Sequence, residues 1–143
     1  MSFEEISQPL LALPEVQQLR TLHHHRHVSR YEHSLRVAEQ SFYLAGRLHL
    51  DAEVCARAGL LHDLFLDNGH WEGWHKVVHP PLAITHPEMA EHNAEALVPL
   101  TEKEKNIILS HMWPITRHWP HSREAWLIIV VDKVVAVQDY LHE

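Results

Sequence analysis

The chain reads as a single all-α domain, and three observations lead there. Apolar residues recur at three- and four-residue spacing along most of its 143 residues, the mark of helices that bury one face. Helix-capping residues stand ahead of several of these segments. The β-branched run Ile128 to Val131 is the one segment that would pass for a strand by itself, and no clear second strand exists to pair with it.

Taken in order, Pro9 and Pro14 break the N-terminal segment into short helices. A long amphipathic helix is predicted from about Ser29 to Leu48, with Tyr31, Leu35, Ala38, Phe42 and Ala45 at helical spacing. Asp51 caps the next helix, which continues to about Leu66 with Val54, Ala58, Leu61 and Phe65 on one side and Glu53 in the first turn. Residues 67 to 85 mix Gly69, Gly73, Pro80 and Pro81 with Trp71 and Trp74 and read as a long ordered loop or lid. Thr85 caps a helix with Pro87 near its first turn, running to about Val98. Thr101 and Glu104 form a capping box for a helix that reaches Met112 before Pro114 stops it. Ser122 starts the last helix, which passes through Ile129, Val130, Val134 and Val137 and contributes Trp126 to the core. There is no repeat and no Gly/Ser linker, so residues 1–143 are one domain: a core of about 29–142 behind an N-terminal helical extension, 1–28.

Composition excludes several functions. With 12 Lys+Arg against 19 Asp+Glu and a net charge of −7, no basic surface is built to neutralise nucleic-acid phosphates or anionic lipid. One cysteine, Cys55, makes no intramolecular disulfide and no paired-cysteine metal site. The opening Met-Ser-Phe-Glu-Glu-Ile carries acid where a secretory signal carries base, and no run of about 20 apolar residues offers a membrane span. A cytoplasmic location is the expectation.

Histidine departs from the ordinary, at 16 residues. His23, His24, His25 and His27 crowd one polar stretch and read as solvated, with adventitious affinity for nickel or zinc. Others sit in apolar surroundings. Asp132 and Lys133 are the two exceptions among twelve residues from Trp126 to Val137, and a carboxylate there needs a cation or good hydrogen-bond partners. A structural ion pair and a metal or catalytic role both meet that need. His62-Asp63 interrupts the run Ala-Gly-Leu-Leu-His-Asp-Leu-Phe-Leu in the same way. His33 shares the inward face of the long helix with Val37 and Leu44, His86 stands at a helix start, and His111 follows Ile107-Ile108-Leu109-Ser110. Four imidazoles and two carboxylates make a ligand set for iron, manganese, zinc or similar ions.

In order and setting, His33, His62-Asp63, His86, His111 and Asp132 resemble the His…His-Asp…His…His…Asp series of the HD superfamily of metal-dependent phosphohydrolases in its dinuclear form. The resemblance covers about 110 residues, Tyr31 to Tyr140, including Arg36-Val37-Ala38 after the first histidine and Leu60-Leu61 before the doublet. It implies a bundle of five core helices with N-terminal extras. By carry-over, His33, His62 and Asp132 hold one divalent metal, His86 and His111 the other, and Asp63 bridges them. Iron is the first expectation, with manganese, zinc, cobalt and nickel as alternatives. The chain departs from the pattern after the doublet, where many relatives have glycine and then lysine or a small polar residue. Here Leu64, Phe65 and Leu66 follow, and no lysine carries over.

Two metals sharing a water would yield a hydroxide near neutral pH, so the implied reaction is hydrolysis of a phosphoester or phosphoanhydride. Asp63, holding that water's metals, and Lys133 are the candidate catalytic residues. Arg30, Lys76 and Arg117 are candidates to neutralise outlying phosphates, and Trp113, with Trp119, to stack on a nucleobase. Small stand-alone relatives include diadenosine tetraphosphate hydrolases and nucleotidases, which makes a nucleotide or related small phosphorylated metabolite the expected partner of a monomer or homodimer. Two alternatives share the ligand set: an HD-type di-iron oxygenase, and a non-catalytic nucleotide- or metal-binding sensor.

Overall fold

In the computed structural model, which describes residues 1–25, 28–66 and 82–141, seven α-helices and one short ribbon make up the regular structure of the described residues. Helix α1, Phe3–Leu11, opens on a capping box between Ser2 and Glu5, and α2, Pro14–Gln18, carries Pro14 at its first position, where a missing N–H removes no bond. Pro9 does not break α1 as expected: it lies inside the helix. A 3₁₀ turn, Leu19–Thr21, leads to strands β1, His23–His25, and β2, Val28–Ser29, which pair antiparallel. The extension is therefore not helical throughout. The Arg30 amide donates to Leu22 O at 2.9 Å and closes the ribbon onto the next helix.

Helix α3, Arg30–Arg47, begins where the Ser29 hydroxyl accepts from the Glu32 amide. It ends with His49 in the left-handed region, φ 59°, a conformation that lets the Leu50 amide reach back to Ala45 O at 2.8 Å. Asp51 caps α4, Ala52–Leu61, through the Val54 amide. Helix α3 packs closely on α4: a Cβ at Gly59 would lie 2.7 Å from the Ala38 Cα, so only glycine fits that crossing.

Helix α4 stops at Leu61, five residues before the expected end. One local contact and two distant ones end it there. The His62 imidazole donates to Gly59 O at 2.6 Å, the carbonyl that the Asp63 amide would use in a continued helix. The unwound segment then has its carbonyls taken by other elements, Leu64 O by Asn93 Nδ2 at 2.9 Å and Phe65 O by the Arg30 guanidinium at 2.8 Å.

Helix α5, Leu82–Leu97, starts three residues before the predicted Thr85 cap, which places Pro87 inside it rather than near its first turn. The loop or lid expected over 67–85 lies, up to residue 81, outside the described residues; its last four belong to α5. Helix α6, Glu102–Ser110, has the expected Thr101–Glu104 capping box, and α7, Arg123–Leu141, follows Ser122 and runs one turn past Val137. One apolar cluster joins α1, α3, α4, α6 and α7 through Leu10, Val37, Leu60, Ile107 and Ile128. Two residues assigned inward are not part of it: Leu44 and Trp126 are both exposed, because the outer faces of α3 and α7 turn away from the cluster. No helix among the described residues is long and apolar enough to cross a membrane.

Candidate metal centre

All six residues picked out by the sequence converge at one point, each buried. His33 comes from α3, His62 and Asp63 from the turn after α4, His86 from α5, His111 from the end of α6 and Asp132 from the middle of α7. The donor atoms of His33, His62 and Asp132 lie within 4.8 Å of one another, and so do those of His62, Asp63 and His111. Asp132 Oδ1 is 2.7 Å from His33 Nε2 and 3.2 Å from His62 Nε2.

Asp63 stands between two sets of imidazoles and gives each a different oxygen. Its Oδ2 faces His62 Nε2 at 3.4 Å and His33 Nε2 at 3.9 Å. Its Oδ1 faces His86 Nε2 at 3.3 Å and His111 Nε2 at 3.5 Å. The Nε2 atoms of His86 and His111 are 2.9 Å apart.

The far sides of the rings explain how they are aimed. His62 and His111 are both C-caps, and each Nδ1–H donates to the carbonyl three residues earlier, Gly59 O at 2.6 Å and Ile108 O at 2.7 Å. That bond fixes the tautomer and turns Nε2 inward. His33 Nδ1 instead donates to Asp139 Oδ2 at 3.0 Å, a wholly buried carboxylate that also pairs with the Arg36 guanidinium. Phe65 packs on the His86 ring at 4.9 Å between centroids, and the Arg30 guanidinium lies 3.8 Å over the Phe65 ring.

Charge is distributed unevenly. Burial works against a charged His33, but hydrogen bonds to Asp132 and Asp139 and the charges of Asp63 and Asp132 outweigh it and raise the imidazole from 6.5 to about 9. His62 is raised too, the charges of Asp63 and Asp132 overcoming its burial. His111 goes the other way: burial, with the neighbouring His62, lowers it despite the Asp63 hydrogen bond. Burial would raise both carboxylates, yet the His62 charge and hydrogen bonds from the other imidazoles hold Asp63 and Asp132 well below the usual range. The lowered carboxylates thus favour positive charge beside them, and the donor set of imidazoles and carboxylates fits divalent metals.

The remaining candidates fall at varying distance. Lys133 reaches Asp132 Oδ2 at 3.2 Å and His111 O at 3.4 Å with half of its side chain exposed, so it stands at the rim. Arg30 is buried against Phe65. Trp113 is half-buried and meets Trp119 and Trp126 edge-on at 4.7 and 5.0 Å, while Arg117 is exposed on the same loop. Lys76 and His27 lie outside the described residues. Sequence reasoning missed Asp139, Arg36 and the packing role of Phe65. Asp139 had a signal: it stands seven residues after Asp132 in the same apolar helix and so shares its face.

The HD domain family model matches residues 30–143, a span that contains all six of these residues and Asp139. The chain belongs to the HD domain family. HD domains are a superfamily of metal-dependent phosphohydrolases that bind divalent metals. No curated protein and no solved structure matches the chain. In this HD domain the histidine-aspartate doublet is the turn that ends α4, and the other four convergent residues arrive from four more helices.

Proposed function

We propose that this HD domain is a phosphohydrolase that uses two divalent metals to cleave a phosphoester or phosphoanhydride bond of a nucleotide or related small phosphorylated metabolite. The observation that carries the reading is Asp63, whose two oxygens face two separate sets of imidazoles. His33, His62 and Asp132 with Asp63 Oδ2 would hold one metal, and His86 and His111 with Asp63 Oδ1 the other. When bound, the pair supplies Lewis-acid charge for phosphate oxygens and lowers the pKa of a shared water. Iron is the first choice, with manganese, zinc, cobalt or nickel as alternatives.

The chain's own groups do the positioning. Gly59 O and Ile108 O hold His62 and His111, and Asp139 with Arg36 holds His33. Lys133 engages the Asp132 oxygen that faces away from His33 and His62, leaving Oδ1 toward them. Half exposed at the rim, its ammonium is also placed to offset charge on a leaving oxygen as water adds to phosphorus and the P–O bond breaks. Trp113 and Trp119 offer aromatic faces and Arg117 a cation on the adjoining loop for the rest of the substrate. The net charge of −7 favours a small soluble substrate over nucleic acid or a membrane.

The test is elemental analysis and phosphate release on one oxygen-free, tag-free preparation in which His23, His24, His25 and His27 are replaced. About two metals per chain with phosphate released from one nucleotide class bears the proposal out. Two irons with oxygen consumed and no phosphate released would assign the oxygenase. Metal and nucleotide binding without turnover would assign the sensor.

A further inference from the structure

Helix α7 has a second face that the metal reading does not use. Trp126, Val130, Val134, Val137 and Leu141 are 41%, 57%, 44%, 58% and 72% exposed. At 100° per residue they fall within an arc of about 80° on one side of the helix, opposite Ile128, Val131 and Val135, which are buried. Leu48, just past the end of α3 and 55% exposed, continues this surface. A groove of about 360 Å³ where α7 meets the end of α3 is lined by Leu48, Leu50, Arg123, Trp126, Leu127 and Val130.

Three features say what covers this surface. Its extent is one: a stable dimer needs about 800 Å² from each partner, and six large apolar side chains, open over two-fifths to three-quarters of their area, form the apolar centre of such a patch. An ordinary monomer does not expose so large a continuous patch. The second is symmetry. The spacing of the stripe is nearly the same read from either end, so a copy laid antiparallel about an axis between Lys133 and Val134 sets Trp126 against Leu141 and Val130 against Val137. Apolar then meets apolar on both sides of the axis, with Val134 beside the Lys133 stem of the second copy at the axis itself. The third is charge. A parallel arrangement stacks Arg123 on Arg123 of the second copy, whereas the antiparallel one places them at opposite ends. A net charge of −7 opposes an anionic lipid surface as the occupant.

We propose that two copies of the chain pair through this face, α7 against α7 antiparallel on a two-fold axis, with Leu141 of each copy entering the groove beside Trp126 of the other. The pairing braces the helix that carries Asp132 and Asp139.

Sedimentation equilibrium over a range of micromolar concentrations tests it. The expected result is twice the chain mass of 16.7 kDa for the unaltered protein, and a single chain mass for Val130→Glu with Val137→Glu, with helical content and metal content unchanged. Orientation is read by thiol cross-linking under oxidised glutathione, in which the buried Cys55 takes no part. Val130→Cys mixed with Val137→Cys should cross-link, and Val130→Cys alone should not. A monomer at every concentration, or a doubly substituted chain that stays dimeric, overturns the proposal. Cross-linking of Val130→Cys alone overturns the antiparallel arrangement. A monomer that pellets with phosphatidylcholine–phosphatidylserine vesicles assigns the face to a membrane surface instead.

Discussion

The two faces of α7 reverse the usual arrangement of a surface helix. The inner face carries Asp132 and Asp139 among buried Ile128, Val131 and Val135, while the outer face carries Trp126, Val130, Val134 and Val137 toward solvent. In a helix apolar nearly all round, hydrophobicity does not say which side points inward. The carboxylates do, because a charge in such a run is kept only where partners are waiting for it. Here His33, His62 and Arg36 are those partners.

The comparison can be broken first at its most demanding point. Asp132→Ala removes an oxygen shared by His33 and His62, and we expect loss of metal from that half of the site and a fall in phosphate release of at least about 100-fold, measured by elemental analysis beside turnover. Retained metal and activity would show that the inner carboxylate is only structural. Asp139→Asn should do less. It keeps an acceptor for His33 Nδ1 but loses the charge, so metal affinity should drop by about 10- to 100-fold, read by competition with a chelator. An unchanged affinity would detach Asp139 from the site.

The pH dependence sharpens the same contrast. His33 owes its raised value, about 9 against 6.5, to the inner carboxylates. Its contribution to the stability of the metal-free chain is therefore fully present below pH 6.5 and lost as pH rises through about 9. Metal binding runs the opposite way, since His33 must give up its Nε2 proton to ligate, and affinity should rise over that window. Urea unfolding of metal-free protein at pH 6.5 and 9 checks the first, and titration calorimetry in the same buffers the second. Asp139→Asn should flatten both trends, and an outer-face substitution should leave them unchanged.

The smallest effect is steric. Val135→Ala on the inner face should destabilise the chain by about 2 kcal/mol through two lost methyl groups and the space they leave, whereas Val134→Ala on the outer face should stay within about 0.5 kcal/mol in dissociated chains. Equal losses in denaturant melts would mean that the two faces are packed alike.

Much of this was legible in the sequence. Asp51 and Thr101 cap where expected because capping is local, needing only the amides of the next turn. His62, Asp63 and Asp132 were visible as polar groups interrupting apolar segments, and the order of all six supplied the resemblance. Asp139 was less visible because it sits near the chain's end beside Gln138 and Tyr140, where a carboxylate reads as solvated. Trp126 was misplaced for the converse reason: a tryptophan in an apolar run reads as core, and periodicity in a helix apolar all round has no phase.

Sequence alone therefore determined the helical class, the caps at Asp51 and Thr101 and the chemical identity of the convergent side chains, since each depends on residue type and near neighbours. Tertiary structure decided that α4 ends at the histidine-aspartate doublet, that Asp63 turns one oxygen to each set of imidazoles, and that α7 faces inward with its charges. Those outcomes depend on partners that are distant along the chain: Arg30 on Phe65 O, Asn93 on Leu64 O and Asp139 on His33. Only the packing of α3 and α5 around α4, and of α7 on α3, brings such groups within hydrogen-bond reach.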